Sequence, residues 1–179
     1  MALTRKSIPS QLLILPKPPG GCSGCERLTP ATRHRPMFTP NQHDVRRFFC
    51  RVSEKLHTHE PLETIEQVAA PWVSEHPEYL EELSDVDRAL ELDYPVDGGT
   101  ENPFLHLSMH LSIEEQCSID QPRGIRTAVE LLSERLGSRH EAHHAVMECL
   151  GTMIWESQRS GLAPDPHRYL ECVRMKASN

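Results

Sequence analysis

Residues 102–161, NPFLHLSMHLSIEEQCSIDQPRGIRTAVELLSERLGSRHEAHHAVMECLGTMIWESQRSG, decide the fold of this chain. Their punctuation predicts three helices. Asn102 is a favoured N-cap residue, and Pro103 suits the first helical position, where its missing N–H would have no partner in any case. The helix that follows, A, runs to about Cys117. A second, B, is predicted to start at Pro122, to carry Ile125, Val129, Leu132 and Leu136 on one face, and to stop at Gly137. Ser138 and Glu141 have the spacing of a capping box, so helix C begins there and continues to Gln158 or Arg159, before Gly161.

Helices A and C repeat one arrangement. A reads His106-x-x-x-His110-x-x-x-Glu114, and C reads His140-x-x-x-His144-x-x-x-Glu148. At about 100° per residue the two histidines of each helix diverge by about 40°, with the glutamate at about 80°. Each triplet therefore occupies one face. If B returns the chain along the length of A, then A and C run parallel and bring both triplets to the same end of a bundle.

This spacing suits a metal ion, because imidazoles at i and i+4 reach one centre and carboxylates a turn away complete its shell. The candidate ligands are His106, His110, Glu114, His140, His144 and Glu148, and the candidate ions are iron, zinc and manganese. His110 and His144 lie among Leu107, Met109, Leu111, Ile113, Val146 and Met147, where an unpaired imidazole would be costly. A single ion held by some of the four histidines, or a pair bridged by Glu114 and Glu148, both satisfy the pattern. His143 falls off this face, as a solvated or supporting residue, and Glu141 is explained by capping. The alternative is a buried polar network with no ion, in a protein that acts through an acidic contact surface.

Upstream of residue 102 the pattern stays helical. Thr39 followed by Pro40 predicts a start for a helix reaching about Lys55, with Val45, Phe48, Phe49 and Val52 on its apolar face. A second helix carries Leu62, Ile65, Val68, Ala69, Trp72 and Val73, with Pro71 expected to kink or break it. Short turns after Pro77 bear Tyr79, Leu80, Leu83, Val86 and Leu90. The stretch 93–101 reads as an acidic loop. Downstream, Asp165 and Pro166 open a last helix that docks through Tyr169, Leu170 and Val173. No segment shows the alternation of a strand.

Composition bounds the function. The 179-residue chain has net charge −7, with 37% hydrophobic and 25% charged residues, and no apolar run approaches the roughly 18 residues of a membrane span. Residues 1–36 hold six basic and one acidic residue, leaving thirteen basic against twenty-five acidic in the rest. An acidic body repels phosphate, so no nucleic-acid and no membrane partner is expected, and any partner is a protein or small molecule. The sequence contains neither a glycine-rich phosphate loop nor a nucleophile elbow.

Residues 1–36 are rich in Pro and Gly, lack periodicity and are expected to be a disordered leader, with Met37 the expected start of the folded part. Leu12 to Leu15 is too short for the apolar core of a signal peptide, which makes the cytoplasm the expected location. Cys22 and Cys25 form a CxxC with no second ligand pair, best explained by chance. Cys50, Cys117, Cys149 and Cys172 fall in helical patterns as small core residues, with no disulfide framework expected.

The segments MFTPNQHDVRRFF, SEHPEYLEEL, NPFLHLSMHLSIEEQCSIDQPRGI and SRHEAHHAVMECLGTMIWESQRSG resemble the domain of unknown function 1841 family, small uncharacterised proteobacterial proteins. The resemblance covers roughly Met37 to Arg174. It implies an α-helical protein and assigns no activity, so no functional residue comes with it. More loosely, the His/Glu layout is similar to hemerythrin-like and DinB-like metal bundles. It departs from the ferritin-like di-iron pattern, which needs Glu-x-x-His twice: Glu141 and His144 fit, but Leu107 stands where the second glutamate would be. The expectation is thus an all-α bundle of about six helices over residues 37–179.

Overall fold

The computed structural model describes residues 41–94 and 101–178, and all its regular structure is helical. The helices are α1 Gln42–Thr58, α2 Thr64–Ser74, α3 Leu80–Leu83, α4 Val86–Glu91, α5 Pro103–Ile119, α6 Ile125–Leu136, α7 Arg139–Ser160 and α8 Pro166–Ser178, with a 3-10 turn at Pro77–Tyr79. The two short helices α3 and α4 raise the number above six. None of the described helices is long and apolar enough to cross a membrane. The leader, Thr39, Pro40 and most of the acidic loop lie outside the described residues.

Helix ends follow side-chain chemistry, with two departures from the sequence expectation. The first helix begins not at Pro40 but after Asn41, whose side chain accepts from the Asp44 N–H while Asp44 reaches back to the Asn41 N–H. That reciprocal pair satisfies two donors at once. Pro122 does not open α6 either. It sits in a turn after a cis Gln121–Pro122 bond, and α6 starts three residues later behind Gly124, whose φ of 98° a side chain would resist. The expected stops at Gly137 and Gly161 are present in left-handed conformation, and Asn102, Ser138 and Asp165 each accept from N–H groups of the first turn they precede. Pro71 is held inside α2, close enough to its end that the chain runs on only to Ser74.

Two apolar clusters share α5 between them. Phe49, Val52, Ala69, Trp72, Val73 and Leu83 join Phe104 and Leu107 on one side, while Ile125, Leu132, Val146, Leu170 and Val173 join Leu105, Met109 and Ile113 on the other. Helix α5 is consequently buried nearly all round, with no single apolar stripe. Leu107 and Ile113 are fully buried, so truncating either to Ala costs about 2–5 kcal/mol. Cys149 and Cys172 are bonded as a disulfide between α7 and α8, correcting the expectation of unpaired core thiols; Cys50 and Cys117 remain free.

Arg46 fastens α1 to the start of the site region. Buried on α1, its guanidinium donates to the carbonyl oxygens of Ala89 and Leu92 at 2.7 Å, capping the end of α4, and lies over the rings of Tyr94 and Phe104. Glu66 is the buried anion of the same half. Lys55 and Arg51 reach its two oxygens at 2.6 and 3.0 Å, and the Lys55 contact does most to hold its carboxyl down at about 2.

Candidate metal centre

Six histidines gather where the end of α2, the first half of α5 and the first turns of α7 meet. His106 and His110 come from α5, and His140, His143 and His144 from α7. His76 follows α2 and precedes the 3-10 turn. Potential ligand atoms of His76, His106, His110 and His144 all lie within 4.8 Å of one another. The Nε2 atoms converge: His106 is 3.0 Å from His76, 3.1 Å from His144 and 3.2 Å from His110, and His76 is 3.1 Å from His140. Nitrogens placed tetrahedrally about 2.0–2.1 Å from one ion are themselves about 3.3–3.4 Å apart.

The outward-facing Nδ1 atoms fix where the ring protons sit. His76 Nδ1 donates to the Trp72 carbonyl oxygen at 2.7 Å, and His106 Nδ1 donates to the Glu101 carboxylate at 2.8 Å. A neutral imidazole has one N–H, so in the neutral form each of these rings turns a bare Nε2 lone pair inward. Charging His76 and the rings of His110, His143 and His144 is opposed by their surroundings. Burial, then mutual repulsion with His106, holds His110 well below the usual histidine range; burial likewise holds His143 down at about 3 and His144 at about 4, and lowers His76. His76, His110 and His143 are almost wholly buried, His144 and His140 partly exposed, so the cluster reaches solvent on the α7 side.

Aromatic rings wall the site. Trp72 stacks on His110 at 4.0 Å and on His143 at 4.2 Å between ring centroids, and Tyr79 lies parallel to His76 at 5.3 Å. Trp72 also receives the Arg139 guanidinium on its ring.

The four histidines read from the sequence are brought together; the geometry that does so differs from the expectation. His106 meets His144, His110 meets His143, and Glu114 meets Arg139, so contacts between α5 and α7 run in opposite senses. The expected parallel pairing is overturned. Its premise was that the middle helix returns the chain along the whole of α5, whereas α6 has 12 residues, about 18 Å, against 17 residues and about 25 Å for α5. With the order reversed, the two glutamates fall on opposite sides of the histidines. Glu114 stands beside His143 and Arg139, while Glu148 is exposed and paired with Lys176 of α8. They do not meet at one ion.

His76 has no counterpart in the sequence expectation, and His143 takes the supporting rather than the solvated place. His76 has no partner at helical spacing, and its only local signal is its place between a helix end and Pro77. His143 was expected off the metal face as a solvated or supporting residue; it is buried behind His110.

All six histidines lie within the span, residues 41–175, that matches the family model described as a domain of unknown function, DUF1841. The chain belongs to the DUF1841 family. No curated protein and no solved structure matches it. The DUF1841 match takes in Glu101 and Trp72 as well, so the groups that orient the rings belong to the family region along with the rings themselves.

Proposed function

We propose that this protein binds one divalent first-row transition-metal ion through the Nε2 atoms of His76, His106, His110 and His144, with His140 at the solvent-facing rim. The observation that carries the reading is the facing Nε2 pair of His76 and His106, 3.0 Å apart in a buried setting, with the Nδ1 atom of each ring against an acceptor oxygen. Two facing lone pairs repel unless a metal ion or a proton lies between them, and the Nδ1 contacts of both rings take the proton of the neutral forms. Fixing Nε2 as the inward atom by an Nδ1–H bond to a carboxylate or carbonyl is the usual way a protein prepares a metal-ligating imidazole.

A polar network without an ion accounts for the same contacts less well. With both rings neutral, His76 and His106 have no inward proton to give, and nothing bonds them to each other. His144 has at most one such proton for two neighbours, His106 and His76 at 3.1 and 3.4 Å. Buried polar groups left in that state cost about 1–3 kcal/mol each.

The donor set narrows the ion. Four or five imidazole nitrogens and no inner carboxylate favour zinc, iron(II), cobalt, nickel or copper over manganese, which prefers oxygen donors. The test is metal content and affinity of the full-length chain, with His106→Ala and His110→Ala as variants. Each is expected to remove most of the bound metal; unchanged metal content in both would reject the site.

A further inference from the structure

Resting on the metal reading above, we infer that Glu114, acting through His143, is the outer anchor that presents His110 to the ion. Neither residue is needed as a ligand. His143 Nδ1 lies 3.3 Å from His110 Nδ1, on the side of His110 that faces away from the cluster. Two nitrogens at that distance share one proton, so one ring donates and the other accepts. The remaining nitrogen of His143, Nε2, faces Glu114 Oε1 at 3.6 Å; that buried oxygen has no partner at full hydrogen-bond geometry, and the Trp72 side chain is the other donor beside this carboxylate. A carboxylate oxygen can only accept, so the proton of His143 belongs on Nε2. His143 Nδ1 is then the acceptor, the proton of His110 sits on Nδ1, and His110 Nε2 is bare, 3.2 Å from His106 Nε2.

The outcome for His110 is the one Glu101 imposes on His106 and the Trp72 carbonyl on His76. His76, His106 and His110 then all point an unprotonated Nε2 inward, each held there from behind by an oxygen or by an imidazole that an oxygen orients. Packing supports the relay. Trp72 covers His110 and His143 together, and Arg139 holds the other oxygen of Glu114 at 2.5 Å, so neither ring nor carboxylate is free to turn. The three carboxylates Glu101, Glu114 and Glu75, the last 3.9 Å from His140 Nδ1, also place negative charge around an ion whose ligands are neutral.

The relay is tested by long-range proton–nitrogen spectra of the histidine rings in the metal-free full-length chain, together with Co2+ titrations of variants. The spectra should show His110 protonated on Nδ1 and His143 on Nε2; a proton on Nε2 of His110 overturns the relay whether or not metal binds. His143→Phe keeps the stack on Trp72 but removes the acceptor, and should weaken Co2+ affinity about 10- to 100-fold and shift the visible Co2+ bands. His143→Gln restores a carbonyl oxygen as acceptor and should recover affinity to within a few-fold. Equal affinity and identical bands for His143→Phe and wild type would also overturn the relay. Should His143→Phe not fold, loss of affinity in His143→Gln as large as 10-fold counts against it, because the acceptor is present there. Wild-type protein that takes up no Co2+ would reject the metal reading alone, leaving the ring spectra to decide the relay.

Discussion

His76 Nε2 faces His106 Nε2 at 3.0 Å, with the ring protons of both turned away toward the Trp72 carbonyl and the Glu101 carboxylate. The two residues are 30 positions apart and come from a helix end and a helix body. On the proposed metal reading, their contact is half of a coordination sphere. His76→Ala should therefore lower Zn2+ affinity at least about a hundredfold, more than the loss of a supporting residue. His167→Ala, exposed on α8, should leave it unchanged. Competition against a chromophoric chelator reads both, and a loss below about threefold for His76→Ala would remove that residue from the site.

Glu148 repeats the sequence spacing of Glu114 yet pairs with Lys176 on the surface. Glu148→Ala should leave metal stoichiometry and affinity unchanged. Its effect on stability should be within about 1 kcal/mol, the usual range for an exposed ion pair. A drop in metal content would mean that the helix order described here is wrong.

The sequence carried the helices and four of the histidines, because caps, glycine stops and i, i+4 spacing are local. It did not carry what depends on the meeting of distant segments. His76 is a single residue at a helix end, and nothing in SEHPEY marks it as facing α5. Helical phase alone says that His143 leaves the face of His140 and His144, but not that Trp72 and Glu114 lie on that side. The sense of α5 against α7 depends on contacts between residues more than 20 positions apart, and Pro122 resembles a first helical residue although it belongs to the turn before α6. Asn41 displaced Thr39 for a similar reason: both are capping residues, and only Asn41 has an acidic partner three positions on.

Acid should destabilise the metal-free protein early. His143 and His144 are held at about 3 and about 4 against an ordinary value of 6.5, and His110 is lowered further, in each case first by burial. The unfolded chain binds protons at these sites as pH falls below about 6.5 while the folded chain does not. Stability is therefore full above that value and declines beneath it, by about 1.4 kcal/mol per pH unit for each histidine until its folded pKa is reached. Glu66 adds a second loss only below its ordinary 4.5, as its contacts with Lys55 and Arg51 fail on approach to about 2. Melting temperatures in chelator should be level from pH 7 to 8 and fall steadily from 6.5 to 5. A level profile down to pH 5 would contradict the buried neutral histidines.

Arg46→Ala should cost about 3 kcal/mol or more, since it strips charged donors from the carbonyls of Ala89 and Leu92 and empties the space beneath Tyr94 and Phe104. Arg46→Lys keeps the charge but one compact donor cannot reach as Arg does, so it should recover only part of the loss. Urea unfolding measures both. An alanine variant within about 1 kcal/mol of wild type would show that the α4 carbonyls are satisfied without it.

The most direct measurement is calorimetric titration of the full-length chain, stripped with chelator, against Zn2+, with melting temperature followed in parallel. The site described here takes up one ion per chain, and a hundredfold excess over the dissociation constant adds about 2.7 kcal/mol of stability; both responses vanish in the His76→Ala, His106→Ala double variant. Absence of heat and of any thermal shift with Zn2+, and likewise with Fe2+, Co2+, Ni2+ and Cu2+, would contradict it.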